Sequence, residues 1–125
     1  GIAWNDDTLY VANHDMVLAF TYKLGETELK GEPRKVMDLP GGGNHWMRNL
    51  LLSPDGKKLY AAVGSSSNIG ENGVAAEEGR AAIWEIDVAS GSRRDVREKM
   101  AVIRPRNIVH QSTAACRDMA NVSWA

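Results

Sequence analysis

The chain has 125 residues, a formal net charge of -1 and 43% hydrophobic residues, enough for one domain with a modest core. The balanced charge argues against a dedicated nucleic-acid binder, and the single cysteine, Cys116, excludes an internal disulfide framework or a cysteine-based zinc site. No apolar run approaches the ~18 residues of a membrane span, and no basic start followed by an apolar segment marks a signal peptide.

Ile2, Ala3 and Trp4 form a short apolar strand directly behind Gly1, so the chain reads as a piece of a longer one. Asn5-Asp6-Asp7 is a turn, because short polar side chains tolerate turn backbone. Residues 9–12 (Leu-Tyr-Val-Ala) are rich in β formers. Residues 17–22 make a third strand, with Val17, Ala19 and Thr21 on one face and Leu18, Phe20 and Tyr22 on the other. A polar loop with Gly25, Gly31 and Pro33 follows, then a fourth strand at 35–39 that Pro40 stops.

The pattern then recurs. Leu50-Leu51-Leu52 is apolar, and Ser53-Pro54-Asp55-Gly56 has the chemistry of a hairpin turn. Residues 59–63 match 9–12, and 81–87 match 17–22. The separation of Leu9-Tyr10 from Leu59-Tyr60, about 50 residues, fits one blade of a propeller. A small sandwich of the same strands is the alternative. The expected fold class is all-β, a partial β-propeller with an irregular C-terminal tail.

Between the two units lies Gly41-Gly42-Gly43-Asn44-His45-Trp46-Met47-Arg48. Glycines permit turns closed to other residues and the close approach of a ligand. A histidine held just before a buried strand has a fixed backbone and a ring free to face a cleft, which is a place to mount a base. A plain loop histidine is the other reading.

Residues 1–4 and 8–13, the Asn44-His45-Trp46…Arg48-Asn49-Leu50 motif, the stretch 53–60, Val63-Gly64-Ser65, Ser67-Asn68, Glu71-Asn72-Gly73 and the block 79–87 (Gly-Arg-Ala-Ala-Ile-Trp-Glu-Ile-Asp) resemble the glucose/sorbosone dehydrogenase family. These are soluble, pyrroloquinoline-quinone (PQQ)-dependent sugar dehydrogenases. The resemblance covers residues 1–91. It implies a six-bladed parent propeller of which this chain holds about two blades, with PQQ and calcium as cofactors. It also implies a sugar substrate, an electron acceptor and a periplasmic location. His45 stands where the family places its general base, which takes the proton of the anomeric hydroxyl while hydride passes to the quinone. A non-catalytic propeller or a sugar-binding or interaction module is the alternative function.

Asn44 stands where some members carry an acidic residue, so it is expected to orient cofactor or substrate by hydrogen bonding, or simply to form the turn. Arg48 is expected either to pair with a cofactor carboxylate or to be a solvent-facing strand-end arginine. Ser65 replaces an acidic residue of other members, so no role carries over to it. Glu71, Glu77 and Glu78 lack the regular spacing of a calcium loop and read as a solvated acidic loop, so no metal ligand is assigned. His14 and His110 read as surface residues, Tyr10 and Tyr60 as packing between blades, and Cys116 as an incidental thiol.

After Gly91 the likeness fades. Residues 92–125 begin with a dense charged run and show no strand alternation, and 114–119 form at most a short helix. Arg106-Asn107 does not match the family's cofactor-facing Arg-Asn pair. Two units are therefore expected: blades over 1–91, and a tail over 92–125 that is out of frame or disordered. Reading the coding DNA in all frames tests the first of these. With most of the ring absent, the isolated chain is expected to show little or no dehydrogenase activity.

Overall fold

A computed structural model describes residues 1–96. In chain order the strands are β1 (Ile2–Asn5), β2 (Thr8–Ala12), β3 (Met16–Thr21), β4 (Arg34–Asp38), β5 (Arg48–Leu52), β6 (Lys58–Val63), β7 (Ala82–Asp87) and β8 (Arg93–Asp95), with a 3-10 helix at Val74–Glu77. They form two four-stranded antiparallel sheets, ordered β1-β2-β3-β4 and β5-β6-β7-β8. The fold is all-β and fits two propeller blades.

Turn chemistry sets the hairpins. Gly56 takes φ 67°, and its N–H donates to Ser53 O at 2.9 Å. Ser53 Oγ donates to Asp55 Oδ1 at 2.6 Å and accepts from Lys58 N at 2.9 Å. The matching turn between β1 and β2 places Asp6 at φ 45°, a conformation that Asp tolerates better than most side chains. The two Leu-Tyr pairs occupy the same place in their sheets: Leu9 lies opposite Phe20, and Leu59 opposite Ile86.

Both sheets contribute to one core. Tyr10, Ala12, Val17, Ala19, Met37 and Leu39 from the first unit meet Leu59, Ala61, Val63 and Ile86 from the second. Burying each large aliphatic side chain contributes roughly 1.5–3 kcal/mol. The buried parity differs between the repeats. Tyr10 is 2% exposed, whereas its counterpart Tyr60 is half-buried on the opposite face and its neighbour Leu59 is fully buried. Thus the Tyr10 face of the first sheet packs on the Leu59 face of the second. A two-fold sandwich would bring equivalent faces together; here unlike faces meet, which is the head-to-tail stacking of blades. Tyr10 therefore packs between the sheets as expected, while Tyr60 turns away and donates its hydroxyl to Glu85 Oε2 at 3.2 Å.

The charged run after Gly91 supplies the outer strand of the second sheet. Arg93 lies opposite Ile86 and Arg94 opposite Glu85. Arg94 pairs with Glu85 at 2.7 Å, and the Arg93 guanidinium lies 5.8 Å from the Trp84 ring centroid. The β pattern thus continues past Gly91: alternating charge hides a strand whose side chains pair with neighbours instead of entering a core. Arg106-Asn107, His110, Cys116 and the expected short helix lie outside the described residues.

Candidate functional site

The glycine–histidine segment links β4 to β5 and is tied down from several sides. Gly42 and Gly43 take φ 76° and 81°, and a Cβ on Gly43 would meet Arg80 Nη1, Ser66 Cα and Ser66 O at 3.1 Å each. Glycine is thus required here by both backbone and space. Arg48, the first residue of β5, is 2% exposed. Its Nη1 donates to His45 O at 2.9 Å and Met47 O at 3.0 Å, and its Nη2 donates to Pro40 O at 2.7 Å. Arg80, buried just before β7, donates through Nη2 to Gly41 O. The Gly42 N–H donates to His14 Nε2 at 2.5 Å, and the Asn44 N–H to Ser66 O at 3.1 Å.

His45 is exposed. Its Nδ1 lies 3.1 Å from Ser65 O. A carbonyl oxygen accepts and cannot donate, so the proton sits on Nδ1 and the neutral ring keeps its lone pair on Nε2. Close approach at Gly64 makes this contact possible: a Cβ there would lie 2.7 Å from His45 Cβ. Trp46 and Met47 follow with 65% and 68% exposure, so the loop presents a solvent-facing aromatic residue next in chain to the histidine.

Behind the histidine lies a polar network. Glu77, at the end of the 3-10 helix, faces the turn after β6: Ser65 Oγ is 2.8 Å from its Oε1, Ser66 Oγ 2.5 Å, and Ser66 N 3.0 Å. Burial pushes the Glu77 carboxyl up, but the Ser66 and Ser65 hydrogen bonds and the nearby Arg80 charge outweigh it and hold the pKa below the usual range. Burial and the neighbouring Arg80 guanidinium both push Arg48 down. Ala81, next to Arg80, takes φ 47°, a reversal that turns the chain between the arginine and β7.

These positions revise the sequence reading. The structure brings Asn44 and His45 together, both exposed. It corrects one expectation for Arg48: the side chain is buried, not solvent-facing, with its Nη groups on loop carbonyls and its buried Nε without a hydrogen-bond partner. Glu77 is likewise no member of a solvated loop. Ser65 and Glu77, which the sequence reading left without a role, and Ser66 and Arg80, which it did not single out, surround the glycine–histidine segment. The one available signal was Arg80, a charge set directly before the apolar run of β7. His14 is exposed as expected, yet its ring reaches the glycine segment.

An anionic, carboxylate-bearing quinone fits what this chain offers. Arg80 is 6% exposed and its buried Nη1, close against Gly43, has no hydrogen-bond partner, nor has the buried Nε of Arg48. Asn44 and His45 add exposed hydrogen-bonding groups. Calcium has no comparable footing, because among the described residues no three His, Cys, Asp or Glu side chains gather into a metal-binding group. No helix among those residues is long and apolar enough to cross a membrane.

Comparison with curated proteins and with solved structures found no match. A family model described as TrAA12-like matches residues 1–100, a span that takes in both sheets and runs past Gly91. On that match the chain belongs to the TrAA12-like family, a PQQ-dependent sugar dehydrogenase-like family consistent with the glucose/sorbosone dehydrogenase resemblance.

Proposed function

We propose that this chain supplies the general base, His45, of a PQQ-dependent enzyme that oxidises a sugar. The observation that carries the reading is the contact of His45 Nδ1 with Ser65 O at 3.1 Å. It leaves Nε2 exposed as the proton acceptor, and it persists once the ring is protonated, since Nδ1 is a donor in both states. A base with a fixed tautomer and orientation contributes typically about 10²–10⁴ in rate.

The bound quinone supplies the hydride acceptor. This chain's part is to take the hydroxyl proton of the sugar onto Nε2 as hydrogen leaves the carbon with the electron pair of its bond, and to hold that proton until solvent removes it. Asn44 orients substrate or cofactor from the same loop. The flat, exposed face of Trp46 suits the apolar face of a sugar ring. Arg80 supports the anionic cofactor through its charge. Arg48 keeps the loop in place from below. The family supports a secreted setting for the enzyme; the periplasm, calcium and the sorbosone class of substrate remain parts of the proposal that rest on the resemblance.

The test is His45→Gln in the PQQ-loaded enzyme expressed from its complete coding sequence. The expected result is a loss of about 10²–10⁴ in kcat with sugar as substrate, with cofactor retained. Turnover unchanged by the substitution would withdraw the base assignment and favour a binding role for the loop.

A further inference from the structure

We propose that Glu77 is the positioning residue of His45: its carboxylate holds the Ser65–Ser66 backbone so that Ser65 O fixes the histidine as its Nδ1–H tautomer. This rests on the reading of His45 as the base. Glu77 touches no reacting atom and acts through the Ser65–Ser66 peptide unit.

Four contacts converge on one carboxylate. Ser66 N lies 3.0 Å from Oε1 and 3.2 Å from Oε2, Ser66 Oγ lies 2.5 Å from Oε1, and Ser65 Oγ lies 2.8 Å from Oε1. The two residues so held are the two whose carbonyls grip the catalytic loop. Ser65 O accepts from His45 Nδ1, and Ser66 O accepts from Asn44 N. A peptide plane gripped at its N–H has little freedom to turn its carbonyl, because each peptide unit is rigid. The Ser66 N–H and the Ser65 carbonyl share one peptide plane, so the carboxylate sets the direction of Ser65 O. Glu77 O also accepts from Arg80 N at 2.9 Å, and Arg80 in turn donates to Gly41 O. One turn of chain, residues 77–80, thereby secures both walls of the site: the serine turn through Glu77 and the glycine loop through Arg80.

The arrangement separates position from charge. In Glu77→Gln the amide oxygen can take the place of Oε1 and keep the three contacts made there, losing only the longer one from Ser66 N to Oε2. Glu77→Ala removes all of them. Glu77→Asp keeps the charge but withdraws it by one methylene.

The experiment is long-range proton–nitrogen NMR of the ¹⁵N-labelled protein expressed from its complete coding sequence, on the alkaline side, where imidazoles are neutral, with the His45 signals assigned through His45→Gln. The native chain should show His45 as the single Nδ1–H tautomer. Glu77→Ala should lose that signature while the amide pattern of β6 and β7 persists, and Glu77→Gln should restore it. If Glu77→Ala does not fold, Glu77→Asp carries the test and should lose the signature in the same way. A native chain without the Nδ1–H form overturns the base reading itself. A native Nδ1–H form that survives Glu77→Ala or Glu77→Asp overturns the role of Glu77 and leaves the base reading standing.

Discussion

His45 Nδ1 meets the carbonyl oxygen of Ser65 at 3.1 Å, across a span of 20 residues. The contact depends on Gly64, whose missing side chain leaves room for His45 Cβ. Gly64→Ala would put a methyl 2.7 Å from that atom, with no penalty from φ, so the effect is steric alone. The histidine should move by roughly an ångström, and a misplacement of that size can cost about 10² in rate. Steady-state kinetics of the PQQ-loaded enzyme should show kcat falling with little change in melting temperature. An unaltered kcat would mean that the loop adapts around the methyl group.

Arg48 is a buried cation whose Nη groups donate to three carbonyls, while its Nε has no hydrogen-bond partner. Arg48→Met keeps much of the volume but leaves Pro40 O, His45 O and Met47 O without their donor. Hydrogen bonds to charged groups are worth about 1.5–3 kcal/mol each, and some carbonyls will find water. A net loss of about 2–4 kcal/mol in urea unfolding is expected, with the glycine loop loosened first. Hydrogen exchange at Asn44 should rise ahead of exchange in β6. A variant as stable as the parent would show that the desolvation cost of the guanidinium cancels its bonds.

Leu59 and Ile86 lie opposite each other at the join of the sheets, both 0% exposed. Leu59→Ala removes the anchor of the second sheet on the first. A loss of about 2–5 kcal/mol is expected from transfer and cavity together. Tyr60→Ala, on the face turned away from this join, should cost less than Leu59→Ala. Chemical denaturation of the two variants checks the order, and the reverse order would contradict the head-to-tail packing.

Asp87 ends β7, and its carboxyl is held well below the usual carboxylate range by the Ser90 N–H and hydroxyl, with the Lys58 ammonium adding to them. Because the folded value is depressed, its stabilising contribution is present above the unfolded pKa near ~4 and fades as pH falls from there toward the folded value. Melting temperature should therefore drop on acidification below about pH 4, and Asp87→Asn should flatten that part of the profile. An unchanged acid slope in the variant would assign the effect to the other lowered carboxyls, those of Glu26, Asp55, Glu71, Glu77 and Glu85.

Much of the fold was legible locally. Strands expected at 9–12, 17–22 and 59–63 stand within a residue of β2, β3 and β6, because alternating apolar residues between Asp- and Gly-bearing turns admit little else. Strand β8 was missed, since its residues Arg93, Arg94 and Asp95 pair with β7 and its neighbours and carry no apolar signal. Arg48 was misjudged for a related reason. An arginine beside a loop looks solvent-facing, and only the carbonyls folded around it reveal that it is buried.

Local patterning is enough for the all-β class, the repeat, the glycine-dependent loop and His45 as the residue of interest. These follow from local backbone preference, side-chain alternation and motif. The tertiary structure alone decided which faces of the repeats meet, which nitrogen of His45 carries its proton, and that Ser65, Glu77 and Arg80 stand behind it. Those facts arise from contacts between residues far apart in the chain, where close packing and the need to satisfy every buried polar group select one arrangement among many that local preference permits.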